Sequence, residues 1–207
     1  MIKKNSRSLI AFDLDGTLLD TAPDFVFAVN TLEDKYGVER SNYSEIRNRV
    51  SDGAIALTKF AFNLKDNSPS LLNLKNELLD IYMDCCLQET KEFEGIKELL
   101  RIIESNNTPW GIVTNKPLRY AEKIIKDKLS SFNFNCLICP DHTNSRKPDP
   151  KGLILACELT QCIPNLSVYV GDNRVDIDAG NNAGMKTIAV SYGYVKPDDP
   201  TVNWGAD

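Results

Sequence analysis

The sequence has one histidine, His142, and one Cys-x-x-Cys motif, at Cys136–Cys139. A structural zinc site is usually completed by further histidines or by a second such motif, and the chain has neither. We therefore interpret Cys136-Leu137-Ile138-Cys139 as a buried strand. The six cysteines are expected to be reduced and mostly buried, as is typical of cytoplasmic proteins.

Long apolar runs are also missing from the chain. No stretch of about 18 apolar residues occurs, so no transmembrane helix is predicted. The N-terminal residues Met1–Arg7 are basic, but the apolar run that follows them is too short for a secretory signal peptide. These features favour a cytoplasmic protein without a membrane partner.

The chain lacks an excess of positive charge: it has 24 Lys and Arg residues and 29 Asp and Glu residues, for a net charge of −5. This balance disfavours a general nucleic-acid binder, so no nucleic-acid partner is expected. An anionic ligand would have to be held by local positive charge and a metal ion. The length of 207 residues suits one core with an insertion, and we expect a monomer or a homodimer.

Short apolar runs alternate with helical stretches along most of the chain. The strand-like runs lie at about 8–14, 110–114, 135–139, 167–171 and 186–191. This alternation predicts an α/β fold whose core is a Rossmann-like parallel sheet with helices on both faces. About ninety residues separate the first two strands, far more than one crossover helix needs.

The interval between the first two strands has helical periodicity. Pro23-Asp24 is a good helix start, and the apolar stripe that follows it ends at Gly37. A second, longer stripe runs from Leu71 to Cys85. We therefore predict an all-helical cap domain of about four helices at 23–90. The Rossmann-like core would then consist of 1–22 and 91–207.

Two carboxylates end the first strand, in the motif Asp13-Leu14-Asp15-Gly16-Thr17. Their i, i+2 spacing turns both side chains the same way, at the strand end where α/β sheets place ligands. One acid could be a nucleophile and the other a proton donor, and both could approach a divalent cation. An EF-hand calcium loop would need Glu at its twelfth position, where Asp24 lies.

Three further polar motifs follow along the chain. Thr114-Asn115-Lys116 ends the second strand, and Lys147-Pro148-Asp149-Pro150 precedes a helical stretch. Gly171-Asp172-Asn173-Arg174-Val175-Asp176 ends a later strand. An acid pair, a strand-end Thr, a Lys before a helix and Gly-Asp-x-x-x-Asp, in this order, resemble the motifs of the haloacid dehalogenase superfamily of phosphohydrolases.

The resemblance implies a set of catalytic and metal-binding residues. Asp13 would be the nucleophile that forms an aspartyl-phosphate, and Asp15 the general acid and then the base. Thr114 and Lys147 complete the predicted catalytic set by holding the phosphate and its charge. The implied cofactor is Mg²⁺, and its predicted ligands are Asp13, the main-chain carbonyl of Asp15, Asp172 and Asp176.

The resemblance also implies where a substrate binds. The predicted substrate-binding residues are Thr114, Asn115, Lys116, Lys147 and Gly53. Gly53 lies in Ser51-Asp52-Gly53-Ala54, which matches the family's substrate-facing loop in the cap. Relatives often carry Arg shortly after this glycine, whereas this chain has Ala54-Ile55-Ala56 there. Arg49 or Lys59 could take the place of that arginine.

Finer features narrow the resemblance to small-molecule phosphatases. The stretch from Ala11 to Asp24 looks like that of phosphoglycolate phosphatases, and Tyr192-Gly193-Tyr194 is similar to bacterial N-acetylmuramic acid 6-phosphate phosphatases. The implied partner is therefore a small phosphorylated metabolite. The acid at Asp15 favours a phosphatase or a sugar phosphomutase over a dehalogenase. A non-catalytic regulatory domain is the third alternative.

His142 lies in the loop that precedes Lys147. As the only histidine it is a candidate for acid–base chemistry. We interpret it instead as a loop-capping or exposed residue.

Overall fold

Most strands of the chain belong to one parallel sheet. The computed structural model describes residues 7–207, so Met1–Ser6, part of the basic segment considered above, lie outside the described residues. Within 7–207 the strands are β1 (Ile10–Phe12), β2 (Leu19–Asp20), β3 (Lys91–Glu92), β4 (Trp110–Val113), β5 (Cys136–Ile138), β6 (Val168–Gly171) and β7 (Lys186–Ala189). Five of them form one parallel sheet in the order β5-β4-β1-β6-β7, and β2 pairs with β3. The predicted α/β fold with a parallel sheet is confirmed.

The central strand β1 is paired on both sides. Ile10 lies opposite Trp110 of β4 and opposite Val168 of β6, in parallel register. Strands β4 and β5 lie on one side of β1, and the later strands β6 and β7 lie on the other side. Such a reversal of strand order opens a crevice at the carboxyl ends of the strands. Ligands of open α/β sheets bind in this crevice, so the topology indicates where the site should lie.

The helices are α1 (Ala22–Tyr36), α2 (Tyr43–Arg47), α3 (Ala54–Ala61), α4 (Leu71–Cys85), α5 (Ile96–Ser105), α6 (Leu118–Lys128), α7 (Pro140–Thr143), α8 (Lys151–Thr160) and α9 (Arg174–Asn182). Between residues 7 and 207, none of them combines the length and apolar character that a membrane span requires. The chain forms two compact units, one of Leu19–Lys91 and one of the preceding segment with Glu92–Asp207.

The unit Leu19–Lys91 contains α1 to α4. Helix α1 has Pro23 in its first turn and ends at Gly37, whose φ of 65° is left-handed, as the sequence predicts. The rings of Phe25 and Tyr82 stack with centroids 3.7 Å apart and join α1 to α4. The predicted domain boundaries, and the role of this unit as a cap, stay predictions.

Buried Asp24 joins the beginning and the end of the same unit. Its carboxylate accepts hydrogen bonds from Glu89 N–H at 2.8 Å, Thr90 N–H at 3.0 Å and Thr90 Oγ1 at 2.7 Å. These contacts join the first turn of α1 to the segment after α4. Asp24, the residue that fails the EF-hand pattern, thus has a structural role.

The other unit contains the parallel sheet, with α5 to α9 packed around it. One apolar cluster in this unit includes Leu9 and Val113 from the strands and Leu153 and Ala156 from α8. The cysteines are free and buried. Burial raises the pKa of Cys136 to about 11 and that of Cys139 to about 12, so these thiols stay protonated and unreactive.

Candidate active site

Three of the predicted site residues directly follow neighbouring strands of the parallel sheet. Asp13 follows β1, Thr114 follows β4 and Asp172 follows β6, and all three side chains are buried. Because β4 and β6 flank β1, the three residues emerge at the same edge of the sheet. The structure thus brings together residues that are far apart in the sequence.

Lys147 lies buried between two carboxylates. Its Nζ forms ion pairs with Asp13 Oδ1 at 2.8 Å and with Asp176 Oδ1 at 2.5 Å. The backbone of Lys147 is held by Asn115, which accepts from Lys147 N–H at 2.8 Å and donates to Lys147 O at 3.2 Å. Substrate binding by Asn115 and Lys147 stays a prediction, and the observed contacts of Asn115 fix the loop that carries the lysine.

The carboxylates of Asp13, Asp172 and Asp176 form a buried cluster. Each offers one oxygen, and these oxygens all lie within 4.8 Å of one another. Within residues 7–207, Asp13 Oδ1 accepts no well-aligned hydrogen bond, although Lys147 Nζ is close enough for an ion pair. Carboxylate oxygens are the ligands that Mg²⁺ prefers, so the residues present fit the predicted magnesium site.

Asp172 is held in place from two directions. Its Oδ1 accepts a hydrogen bond from Thr17 Oγ1 at 3.0 Å, and its Oδ2 accepts one from Tyr194 N–H at 2.8 Å. A Cβ on Gly16, whose φ is +84°, would lie 2.1 Å from Asp172 Oδ2. A Cβ on Gly193 would lie 2.3 Å from Asp172 Cβ. Only glycine at these two positions leaves room for the carboxylate.

Asp176 also caps a helix. Helix α9 begins at Arg174, two residues before Asp176. Asn173 Oδ1 accepts from Val175 N–H at 3.1 Å, and Asp176 Oδ2 accepts from Asn173 N–H at 3.0 Å. This reciprocal capping box starts the helix and fixes the direction of the Asp176 carboxylate.

Burial and mutual repulsion raise the pKa values of two clustered carboxyl groups. Burial is the main reason that the pKa of Asp13 rises to about 7, and the charges of Asp176 and Asp15 add to it while Lys147 opposes it. Burial, followed by the charges of Asp176 and Asp13, raises the pKa of Asp172 well above its ordinary value. Burial lowers the pKa of Lys147, but the two carboxylates beside it outweigh that effect and raise it. The ammonium group therefore stays charged.

These shifts predict how the stability of the metal-free protein depends on pH. The pKa of Asp13 is about 7 in the folded chain, and that of an unfolded aspartate is about 4. Between these pH values the folded chain binds more protons, so the free energy of unfolding falls as the pH rises. We expect Asp13→Asn, which has no proton to lose, to reduce this slope by up to about 1.4 kcal/mol per pH unit.

The measurement is urea unfolding of both proteins in EDTA between pH 4 and pH 7. Asp198→Asn, which changes an exposed acid of the same unit, is the control and should keep the wild-type slope. Equal slopes for wild type and Asp13→Asn would contradict the pKa shift of Asp13.

Asp15 and Lys116 form a second ion pair. Lys116 Nζ lies 2.8 Å from Asp15 Oδ1, and the Lys116 side chain is only 4% exposed. The Lys116 N–H donates to Thr114 Oγ1 at 3.1 Å, which fixes the turn after β4. Substrate binding by Thr114 and Lys116 stays a prediction. In the structure the charge of Lys116 faces the predicted general acid.

Gly53, the predicted substrate-binding residue of the cap, lies in the unit Leu19–Lys91, directly before α3. The two basic residues considered near it both have partners inside that unit. The guanidinium of Arg49 lies 3.9 Å from the ring centroid of Phe60, and Lys59 Nζ lies 2.6 Å from Asp66 Oδ1. The role of Gly53 stays a prediction.

His142 caps a short helix, as the loop-capping interpretation predicts. Its Nδ1 accepts a hydrogen bond from Cys139 N–H at 2.9 Å, at the start of α7. This contact stabilises the first turn of the loop that leads to Lys147.

Tyr169 is a further residue at the site that the sequence analysis missed, besides Thr17 and Tyr194, which hold Asp172. Its hydroxyl group contacts both Lys147 and Asp176 from the middle of β6. In the sequence it is one aromatic residue in the run Val168-Tyr169-Val170, where ordinary core packing is the natural interpretation. No local pattern reveals that its hydroxyl group reaches the carboxylate cluster.

A family model described as a haloacid dehalogenase-like hydrolase matches residues 10–190. The chain belongs to this family. The match covers the strand before Asp13 and the motif around Asp172, so the resemblance inferred from the four polar motifs is confirmed.

Relatives with assigned activities cover nearly the whole chain. N-acetylmuramic acid 6-phosphate phosphatase from Pseudomonas aeruginosa is 41% identical over 100% of this chain and 91% of its own length. The enzyme of the same name from Pseudomonas putida is 43% identical over 96% of this chain and 89% of its own length. Phosphoglycolate phosphatase from Xanthomonas campestris is 35% identical with the same coverage. The prediction of a phosphoric monoester hydrolase is confirmed.

Solved structures share the fold at lower identity. The crystal structure of a predicted phosphoglycolate phosphatase from Haemophilus somnus has a TM-score of 0.84 and 22% identity, and the match covers 100% of this chain and 94% of that one. A haloacid dehalogenase-like protein from Streptococcus pneumoniae has a TM-score of 0.82 and 22% identity, with 98% and 92% covered. These similarities establish the haloacid dehalogenase fold.

Proposed function

We propose that the protein is a Mg²⁺-dependent phosphatase that acts through an aspartyl-phosphate on Asp13, and that its substrate is N-acetylmuramic acid 6-phosphate. The observation that carries the proposal is the position of Asp13. It lies at a strand end beside the buried ammonium of Lys147 and shares a cluster with Asp172 and Asp176. The proposed substrate is supported by the 41% and 43% identity to enzymes named for it, against 35% to a phosphoglycolate phosphatase.

Asp13 supplies the nucleophile. One of its carboxylate oxygens attacks phosphorus, a new oxygen–phosphorus bond forms, and the bond from phosphorus to the ester oxygen breaks. Because the pKa of Asp13 is raised to about 7, the attacking carboxylate depends on nearby positive charge to be ionised. Lys147, 2.8 Å from Asp13 Oδ1, supplies part of that charge.

Asp15 would carry the proton in both steps. It protonates the departing ester oxygen, and it then takes a proton from the water that hydrolyses the aspartyl-phosphate. The second step breaks the bond between Asp13 and phosphorus and releases inorganic phosphate. The proton that Asp15 takes from water replaces the one given to the ester oxygen, so the two steps balance.

Asp13, Asp172 and Asp176 would hold the metal ion, together with the main-chain carbonyl of Asp15. Bound Mg²⁺ supplies positive charge that offsets the repulsion between the carboxylates and the phosphate dianion. Lys147 adds to this, since a unit charge about 4 Å from a phosphate charge contributes roughly 4 kcal/mol at an effective dielectric constant of 20. Thr114, at the end of β4, would bind phosphate oxygens.

The test compares phosphate release from N-acetylmuramic acid 6-phosphate and from 2-phosphoglycolate in the presence of Mg²⁺. We expect the kcat/KM for the sugar phosphate to be at least about tenfold higher, since a difference of about 1.4 kcal/mol in transition-state binding gives this ratio. A preference for 2-phosphoglycolate would overturn the proposed substrate and leave the phosphatase standing. Conversion of a sugar phosphate to its isomer without phosphate release would instead establish the phosphomutase alternative.

A further inference from the structure

Tyr169 lies at the middle of β6, and its ring is completely buried. Its backbone pairs with Ala11 of β1 on one side and with Thr187 of β7 on the other. A residue paired on both sides in the middle of a sheet has little freedom to move. The position of the Tyr169 hydroxyl group is therefore set by the sheet itself.

Among the described residues, three polar atoms lie within hydrogen-bond distance of the hydroxyl group. It lies 2.7 Å from Val113 O, 2.8 Å from Lys147 Nζ and 3.3 Å from Asp176 Oδ1. A tyrosine hydroxyl group carries one proton at neutral pH. Val113 O and Asp176 Oδ1 can both accept the single proton, and Val113 O is the nearer of the two. The Lys147 ammonium can only donate, so a lone pair of the hydroxyl group faces Lys147.

The lone pair of the Tyr169 hydroxyl group is one of the acceptors that hold the ammonium of Lys147. The ammonium donates well-aligned hydrogen bonds to Asp176 Oδ1 and to the Tyr169 hydroxyl, at 2.5 Å and 2.8 Å. Towards Asp13 Oδ1 it makes an ion pair of 2.8 Å without such alignment. The Tyr169 hydroxyl group and Asp176 thus hold the ammonium of Lys147 while it lies 2.8 Å from Asp13 Oδ1.

We propose that Tyr169 is a positioning residue for phosphoryl transfer, which acts by fixing the ammonium of Lys147 between Asp13 and Asp176. The inference rests on the proposed function, because Lys147 matters to the rate only if phosphate is transferred to Asp13. A charged group that is already positioned for the transition state lowers the barrier of the reaction. A displacement of such a group by about 1 Å can reduce the rate by about 100-fold.

The experiment compares Tyr169→Phe with wild type in Mg²⁺-dependent hydrolysis of p-nitrophenyl phosphate, a general phosphate monoester. We expect kcat to fall by roughly 10- to 100-fold while KM changes by less than about threefold, since the lost interaction acts in the transition state. Tyr120→Phe is the matched control. It removes the hydroxyl group of another buried tyrosine, which lies on α6 beside Arg119, and it should keep the wild-type kcat.

Inhibition provides a readout that a purely structural role would not change. Orthovanadate imitates the five-coordinate transition state, and inorganic phosphate imitates the ground state. We expect Tyr169→Phe to weaken inhibition by orthovanadate by about the same factor as kcat, and inhibition by phosphate by less than about threefold. Equal weakening of both would overturn the positioning role.

The remaining outcomes separate this inference from the proposed function. Tyr169→Phe with the wild-type kcat and wild-type orthovanadate inhibition would overturn the inference alone. No hydrolysis of this ester or of the two metabolites by wild type and Tyr120→Phe would overturn the proposed function and the inference with it. The unfolding midpoint of each variant checks folding, and Tyr169→Met offers a second side chain without the hydroxyl if Tyr169→Phe does not fold.

Discussion

Replacing Asp13 with asparagine is expected to abolish phosphate release, with a loss in kcat of more than about 10⁴-fold, because loss of a nucleophile removes the covalent route altogether. The amide has nearly the same size as the carboxyl group. Since burial already raises the pKa of Asp13 to about 7, a neutral group suits the position and the fold should be kept. The measurement is phosphate release with Mg²⁺, together with the unfolding midpoint.

A matched control makes the loss specific to Asp13. Asp198→Asn makes the same chemical change at an exposed acid and should keep the wild-type activity. If purified Asp13→Asn kept more than about 1% of the wild-type kcat, the nucleophile would have to be another residue, since a 100-fold loss is typical of a merely displaced group.

The second large effect is expected on the response to magnesium. At a Mg²⁺ concentration of 100 times the dissociation constant, binding stabilises the folded protein by about 2.7 kcal/mol, which raises the unfolding midpoint by roughly 5–10 °C. In Asp172→Asn we expect most of this increase to be lost, because the cluster loses one of its three carboxyl groups. The measurement is thermal unfolding with MgCl₂ and with EDTA, and it requires no substrate.

Asp178→Asn is the control for the magnesium experiment, since Asp178 lies on the same helix, α9, outside the carboxylate cluster. It should respond to Mg²⁺ like wild type. A full magnesium response in Asp172→Asn, or none in wild type, would contradict a metal site at the carboxylate cluster.

The parallel sheet and much of the site follow from local signals in the sequence. Apolar runs such as Trp110–Val113 are too short for helices and are followed by polar residues, so they predict buried strands and mark their ends. Because carboxyl ends of parallel strands meet at one edge, Asp13, Thr114 and Asp172 could be placed together before their contacts were known. The start of α1 near Pro23 and its end just before Gly37 follow from residue chemistry alone.

The contacts that the sequence does not reveal depend on tertiary structure. Asn115 holds the backbone of Lys147 across 32 positions, and no spacing rule connects a strand end to a later loop at that distance. Asp176 was predicted to bind the metal ion or to orient its water, and the sequence does not show that one of its oxygens also caps α9 through Asn173. Tyr169 lies in an apolar run, as many core aromatic residues do. Only the tertiary structure brings its hydroxyl group to Lys147.

The lack of space around Asp172 limits how this enzyme can change, both in evolution and in the laboratory. Gly16 and Gly193 both lie close to the side chain of Asp172, and a Cβ on Gly193 would also lie 2.3 Å from Gly16 O. A side chain at either position would collide with Asp172, and the other glycine has no side chain that could move to make room. A mutant library of this enzyme should therefore keep both glycines.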